Sequence, residues 1–563
     1  MRGEDTYWTR TTANRVSRRA ALRLGAVGAG GLAAAFALAC GGGKEESKAG
    51  TPAGGPAAAG TAAPGEQPRY GGVISQRLPN DPDRLDSHQS TTYVSVWPHA
   101  PCFNQLVQFD PDKPQNRPDE IIPDLATSWE QPDAQTVVFK LKQGVKFHDG
   151  SDFTSEDPKV QIEWIKNPPQ GKVSPRKAAL DAISKIETPD PLTLKLTLSR
   201  PNPSLLMNLA SHYFTIGQAK DILANGEIGP KLIGTGPFKL KQYERGNFIE
   251  LEKNPNYHIQ GRPYLDGLKF FIVRDYSTAL TNFIQGQYQL FYELQFVPSD
   301  GERAVRESGG KVEVVRVLST LRDVLFMNAR RKPYDDIRVR QAISLALDRD
   351  AAMKVVKEGA AKRGGYMLPG GAWAISEQEL RQYDGYDKPN IDKAKQLLQQ
   401  AGVSTPLEAV AWSRTDFKPY AEFVKDQLAK IGINMNLNLA DTATSQPKLQ
   451  QGDFDIGPWL IAINVDDPDA VFAEIATSNA VRNWSAVKDP QLDALFEKQS
   501  VTFNVEERKK IVQELERKAL SLYQVAVLYF QELVFGRAKT VRNMTFHSSL
   551  YTNRRMENVW LAQ

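Results

Sequence analysis

Apolar and polar positions alternate with period two from Thr136 to Lys142, where Val137, Phe139 and Leu141 interleave with Val138, Lys140 and Lys142. That pattern predicts a strand with one buried face. Gln143-Gly144 turns the chain, a second short strand is predicted over Val145 to Phe147, and Asp149-Gly150 supplies a positive-φ turn position. A helix should follow, with Thr154 accepting from the backbone N–H of Asp157 while the Asp157 carboxylate reaches back.

The period changes to 3.6 further along. Val339, Ala342, Ile343, Ala346 and Leu347 make one helical stripe, and Ala394, Leu397, Leu398 and Ala401 make another, with Gly402 placed for a left-handed cap. Leu407 to Ser413 then reads as a strand, Tyr420, Phe423, Val424, Leu428 and Ile431 as a helix ending at Gly432, and Ile433, Met435, Leu437 and Leu439 as a strand whose other face is asparagine. Strand, helix and strand with short joints predict a βαβ unit. Ile511, Val512, Leu515, Ala519 and Leu520 form a last helical stripe, leading into the unbroken apolar run Val525 to Phe530, which predicts a strand covered on both faces.

Composition changes this picture little. The 563 residues, 41% apolar and 24% charged, allow two or three domains with substantial cores. The 70 basic residues are interspersed with 66 acidic ones, whereas a nucleic-acid binder gathers its cations on one face, so nucleic acid is set aside. Catalytic patterns that are easy to see in sequence, a G-x-S-x-G elbow, an H-E-x-x-H helix or a phosphate-binding G-x-x-x-x-G-K loop, do not occur. The six histidines lack metal-ligand spacing, so no metal or other cofactor is expected, and binding is the favoured class over a hydrolase assembled across the fold.

The ordered motif Ile121 to Asp157, IIPDLATSWEQPDAQTVVFKLKQGVKFHDGSDFTSED, followed by GTGPF at Gly234 to Phe238, KNPNYH at Lys253 to His258 and PYDDIRVRQAISLALDRD at Pro333 to Asp350, resembles the family 5 extracellular solute-binding proteins of ABC importers. Pro158 departs from the family wording and suggests a helix that starts late or stays short. The resemblance implies an α/β, bilobal type II periplasmic-binding-protein-like fold with an additional small domain. Mapped onto this chain, lobe I holds residues 70–95, 228–318 and 530–563, the small domain 96–227 and lobe II 319–529. It implies a small-molecule or peptide ligand, delivered to ABC permease and ATPase subunits by a monomeric binding protein. A ligand sensor or peptide-handling chaperone on the same fold is the alternative.

The first 40 residues read as an export signal. Ser17 to Arg23, with Arg18 and Arg19, resembles a twin-arginine signal, and Ala37-Leu38-Ala39-Cys40 resembles a lipoprotein box, so Cys40 is the expected lipidation site and the protein is expected outside the cytoplasmic membrane, held to it by lipid. Residues 41–69 are mostly Gly, Ala, Pro, Ser, Thr, Lys and Glu, a tether whose ~28 residues would span roughly 30 Å as a flexible coil. Cys102 is left without an intrachain partner and reads as a small buried hydrophobe.

A ligand in such a fold sits beyond the carboxyl ends of the strands. Trp412 and Ser413 fall there, Trp459 follows at the end of FDIGPWL, and Trp373 lies in the loop LPGGAWA. Each tryptophan could equally pack in a lobe core. The resemblance places Tyr93 in an early loop that approaches the ligand. Peptide-binding relatives carry a segment like WGWxADYxDPD whose Asp clamps the peptide α-ammonium; here the position is Asn464, with Asp466 as a substitute carboxylate nearby.

Overall fold

The computed structural model describes residues 66–563 except 553 and 563, and leaves aside the side chain of residue 443. Arg18, Arg19, Cys40 and the tether up to residue 65 lie outside the described residues.

One eleven-stranded sheet runs through the body. In space its main order is Ile433–Ala440, Leu407–Arg414, Ile456–Ile461, Val312–Met327, Val525–Ala538, Leu290–Tyr292, Val73–Leu78, Gly267–Ile272, Phe248–Lys253 and Phe238–Glu244. The predicted βαβ unit is present: Leu407–Arg414 and Ile433–Ala440 pair in parallel, Leu407 opposite Ile433, and the helix Lys418–Ala429 joins them. Gly432 takes the left-handed conformation, φ +79°, that closes that helix.

The middle of the sheet explains its unbroken apolar runs. Along Val312–Met327, Val324 and Phe326 enter one core with Phe472, Val512 and Leu515, while Leu325 and Met327 enter the opposite core with Ile343, Leu398 and Val424. Val525 and Val527 go to the first core, Ala526 and Leu528 to the second. Period-two alternation holds, but helices cover both faces, so apolar side chains are needed on each.

The two long central strands also carry a defect. Their antiparallel register runs from Val312 opposite Ala538 to Leu318 opposite Glu532, breaks, and resumes at Arg322 opposite Phe530. Within the break the Ser319 hydroxyl donates to the Gln531 carbonyl at 2.7 Å and the Thr320 hydroxyl to the Ile463 carbonyl at 2.6 Å. Extra residues on one strand bend it and redirect its side chains.

A separate four-stranded antiparallel sheet, in the order Ala126–Asp133, Thr136–Leu141, Thr193–Leu198, Ile183–Asp190, contains the strand predicted from Val137, Phe139 and Leu141, all three buried. The predicted strand Val145 to Phe147 does not form. Gly144 (φ +76°) and Gly150 (φ +87°) turn the chain twice within seven residues, leaving one isolated bridge, Lys146 to Asp152. The helix Glu156–Lys166 starts one residue later than a Thr154 cap implies, with Ser155 as its N-cap, and runs for 11 residues with Pro158 in its first turn, where no N–H is required. Half of the predicted exchange is present: the Asp157 carboxylate accepts from the Thr154 N–H at 2.8 Å, but the Thr154 hydroxyl donates to that carboxylate instead of accepting from Asp157.

The motif stretch itself is a structural hub. Asp124 accepts from the Asn104 amide and the Gln105 N–H, each at 2.8 Å, and is ion-paired with the buried Arg555 near the C-terminus. His148 lies 3.1 Å from the Gly236 carbonyl. Gly234 and Gly236 press on the backbone at Cys102; a Cβ there would fall 2.0 and 2.4 Å from it, so only glycine fits. Cys102 is buried and free, and burial pushes its thiol far up.

Candidate functional site

A cleft of about 1220 Å³ opens where the central strands break register. One wall holds Arg77, Tyr93, Arg274, Glu293 and Leu294; the other holds Leu321, Asp323, Arg414, Phe417, Trp459 and Asn464. Arg176, Asn208, Ser211 and Phe214 close one end, together with Tyr551. The break leaves Leu321 unpaired, Asp323 sits directly before a second register shift at Val324, and Gln531 faces the same space from the partner strand.

Three of the residues singled out in the sequence meet in this cleft. Tyr93 opens the helix Tyr93–His99, and its ring lies 4.8 Å from Trp97. Trp459, on the strand Ile456–Ile461, is only 3% exposed and is held edge-to-face by Phe417 at 5.9 Å and Trp484 at 5.5 Å. Asn464 is half-buried, and its amide bonds to none of the described residues.

The other four lie elsewhere. The Ser413 hydroxyl points across the sheet and donates to the Pro458 carbonyl at 2.8 Å. Trp412, one residue before Ser413, faces the opposite side, where the Lys448 ammonium lies 5.8 Å from its ring; Arg414, two residues beyond Trp412, is the one that reaches the cleft. Trp373 is buried in a core, its Nε1 donating to the Asp466 carbonyl at 3.1 Å and its face covered by the Arg508 guanidinium at 4.9 Å. Asp466 lies behind the cleft wall; burial pushes its carboxyl up to about 7, against the pull of Arg322. It therefore cannot stand in for a carboxylate at Asn464.

Charge in the cleft is mostly compensated. Arg77 pairs with Glu293, Arg414 with Asp416, Arg482 with Glu474, and Arg200 with Asp181. Burial raises the Glu293 carboxyl to about 7 in spite of Arg77. Asp323, 3% exposed, accepts from the Gln531 amide at 2.8 Å, and burial raises it too. Sequence reasoning missed Arg77, Glu293, Asp323 and Arg176. Arg77 and Asp323 sit in strands whose apolar pattern hides them, Glu293 directly follows the strand Leu290–Tyr292, and Arg176 sits in a stretch with no periodicity at all.

The sequence matches the family described as "Bacterial extracellular solute-binding proteins, family 5 Middle" over residues 120–483. It is 29% identical to the glutathione-binding protein GsiB of Pectobacterium atrosepticum over 362 residues, covering 63% of this chain and 67% of that protein. It is 27% identical to the dipeptide-binding protein of Escherichia coli over 427 residues, covering 70% and 77%. Among solved structures, the binding protein AgaA of A. tumefaciens R10 in complex with agropinic acid superposes with a TM-score of 0.74 at 27% identity, over 87% of this chain and 99% of that one.

Proposed function

The chain belongs to the bacterial extracellular solute-binding proteins of family 5, and on that premise we propose that it is the substrate-binding component of an ABC importer, capturing a peptide or peptide-like solute in the cleft and delivering it to a membrane permease and its ATPase. The observation that carries this reading is the cleft itself. At about 1220 Å³ it slightly exceeds the ~300–1,000 Å³ usual for small-ligand sites, and its walls are drawn from segments far apart in the chain, with aromatic faces, a free amide and ion pairs to orient a polar solute. The names of the relatives and of the agropinic-acid complex support a ligand of that kind.

The lobes proposed are 70–95, 228–318 and 530–563 on one side, with the small domain 96–227, and 319–529 on the other. The register break near Ser319 and Gln531 lies at that division and is the natural pivot. Contacts made only when both walls converge stabilise the closed form, and that differential affinity is what a permease reads. Export through Arg18 and Arg19 and lipid attachment at Cys40 belong to the same proposal; incorporation of labelled fatty acid, lost in Cys40→Ala, tests the anchor.

A melting-shift screen of the mature protein over short peptides, glutathione, nickel chelates, sugars and opines tests the function. A ligand specific to the folded state adds about 2.7 kcal/mol at a hundredfold excess over Kd. A hit should also reduce the radius of gyration in solution scattering. A set of hits confined to sugars would overturn the peptide-like reading, and a hit with an unchanged radius would overturn closure.

A further inference from the structure

Of the guanidinium groups that line the cleft from half-buried or buried positions, Arg77, Arg414 and Arg482 each face a carboxylate. Arg176 does not: among the described residues it has no ion pair. Its guanidinium carbon lies over the Tyr213 ring, 3.8 Å from the centroid, and its Nε is buried without a hydrogen-bond partner among the described residues. The Tyr213 ring in turn meets Tyr551 at 5.2 Å, and Tyr551 lines the same end of the cleft. The guanidinium is therefore fixed by stacking on one face, and a cation held at a cleft wall without a counter-charge favours an anion beside it. The opposite wall adds Arg482, whose own charge is met by Glu474. Burial raises the Tyr551 hydroxyl, and the positive charges of Arg176 and Arg482 both lower it.

We propose that Arg176, with the Tyr551 hydroxyl, forms a subsite that receives a carboxylate of the ligand at the small-sheet end of the cleft. This rests on the reading of the cleft as a solute-binding site and narrows the solute to one carrying an acid group. A planar carboxylate suits the edge of a stacked guanidinium, which offers parallel N–H donors. Neutral Asn464 on the other side of the cleft fits the same ligand class, since an acidic solute needs no carboxylate clamp there.

The test uses the full chain and two kinds of probe. Citrate, titrated at constant ionic strength against sodium chloride, should raise the melting temperature saturably in the wild type, and Arg176→Gln should weaken that response by about 10- to 100-fold in apparent affinity, as loss of one charged hydrogen-bonding partner predicts. Arg176→Lys should keep part of it. Lys177→Gln, which removes an exposed neighbouring charge outside the cleft, should leave it unchanged; an equal loss there would reduce the effect to long-range attraction and overturn the subsite. Equal citrate responses in wild type and Arg176→Gln would overturn it as well, and a response to inorganic phosphate but not citrate would overturn the carboxylate. In the second arm trialanine is compared with trialanine amide. If neither binds while the citrate response still depends on Arg176, the peptide reading fails and the subsite stands; if both bind equally in wild type and variant, the subsite fails and the peptide reading stands.

Discussion

The resemblance aligns Asn464 with an aspartate that would hold a peptide's α-ammonium, and in the structure Asn464 lines the cleft with its amide bonded to none of the described residues. The sign of one substitution then separates ligand classes. If the solute presents an ammonium there, Asn464→Asp should tighten binding by roughly 1.5–3 kcal/mol, or about one to two decades in Kd. If the solute presents a neutral or acidic group, the new carboxylate is buried unpaired on closure and binding should weaken. Given the uncompensated Arg176 at the other end, weakening is the expected result for an acidic solute whose charge spans the cleft, and calorimetry with the hit of the screen measures it. Asp466 cannot blur the outcome, because it is fixed behind the wall against Trp373 and Arg322.

Elements, unlike cleft side chains, were largely legible in the sequence. Periods of two and 3.6 located the strand Thr136–Leu141, the helices Ile337–Ala346 and Ile391–Gln400, and the βαβ unit, because burial of one face writes itself into the spacing of apolar residues. Which way a strand end points does not follow from spacing. Trp412, Ser413 and Arg414 are consecutive on one strand and face a lysine, a carbonyl and the cleft in turn. Contacts between distant elements are still less visible. Ser204, ahead of the short helix Leu205–Leu209, donates to Asp467 at 2.6 Å and Asp469 at 2.8 Å, while Arg508 on the helix Val505–Ser521 reaches Ser204 at 2.9 Å and both Asp467 oxygens at 3.2 Å. All of Ser204, Asp467 and Arg508 are buried. Arg508→Met should destabilise by about 3–5 kcal/mol, since it leaves the Asp467 charge buried alone, and Arg508→Met with Asp467→Leu should recover much of the loss. Urea unfolding measures both; a double variant no better than the single one would show that the network is not coupled.

For the whole molecule, two sets of buried groups set the pH dependence, and they oppose each other. Burial holds His99, His258 and His547 down to about 3, His148 to about 4, and His212 well below its usual value. These imidazoles stay neutral when folded but take up a proton when unfolded anywhere below about 6.5. Stability from them is present above that pH and is lost as the pH falls. Burial also raises Glu293, Asp466 and Glu516 to about 7, so these carboxyls stay protonated when folded but ionise when unfolded above about 4.5; their contribution is lost as the pH rises from about 4.5 to 7. Near pH 5.5 the five imidazoles outnumber the three carboxyls held near 7, so of these groups the imidazoles prevail and stability should rise with pH. Glu293→Gln removes one opposing group without touching the imidazoles, so its melting temperature should climb more steeply than the wild type's between pH 5 and 6.5, whatever constant offset the unpaired Arg77 adds. A wild-type profile that is flat or falls over that interval, measured by calorimetry in buffers of matched ionic strength, would mean that water reaches these histidines in the folded protein and that the core around the motif hub is looser than its packing indicates.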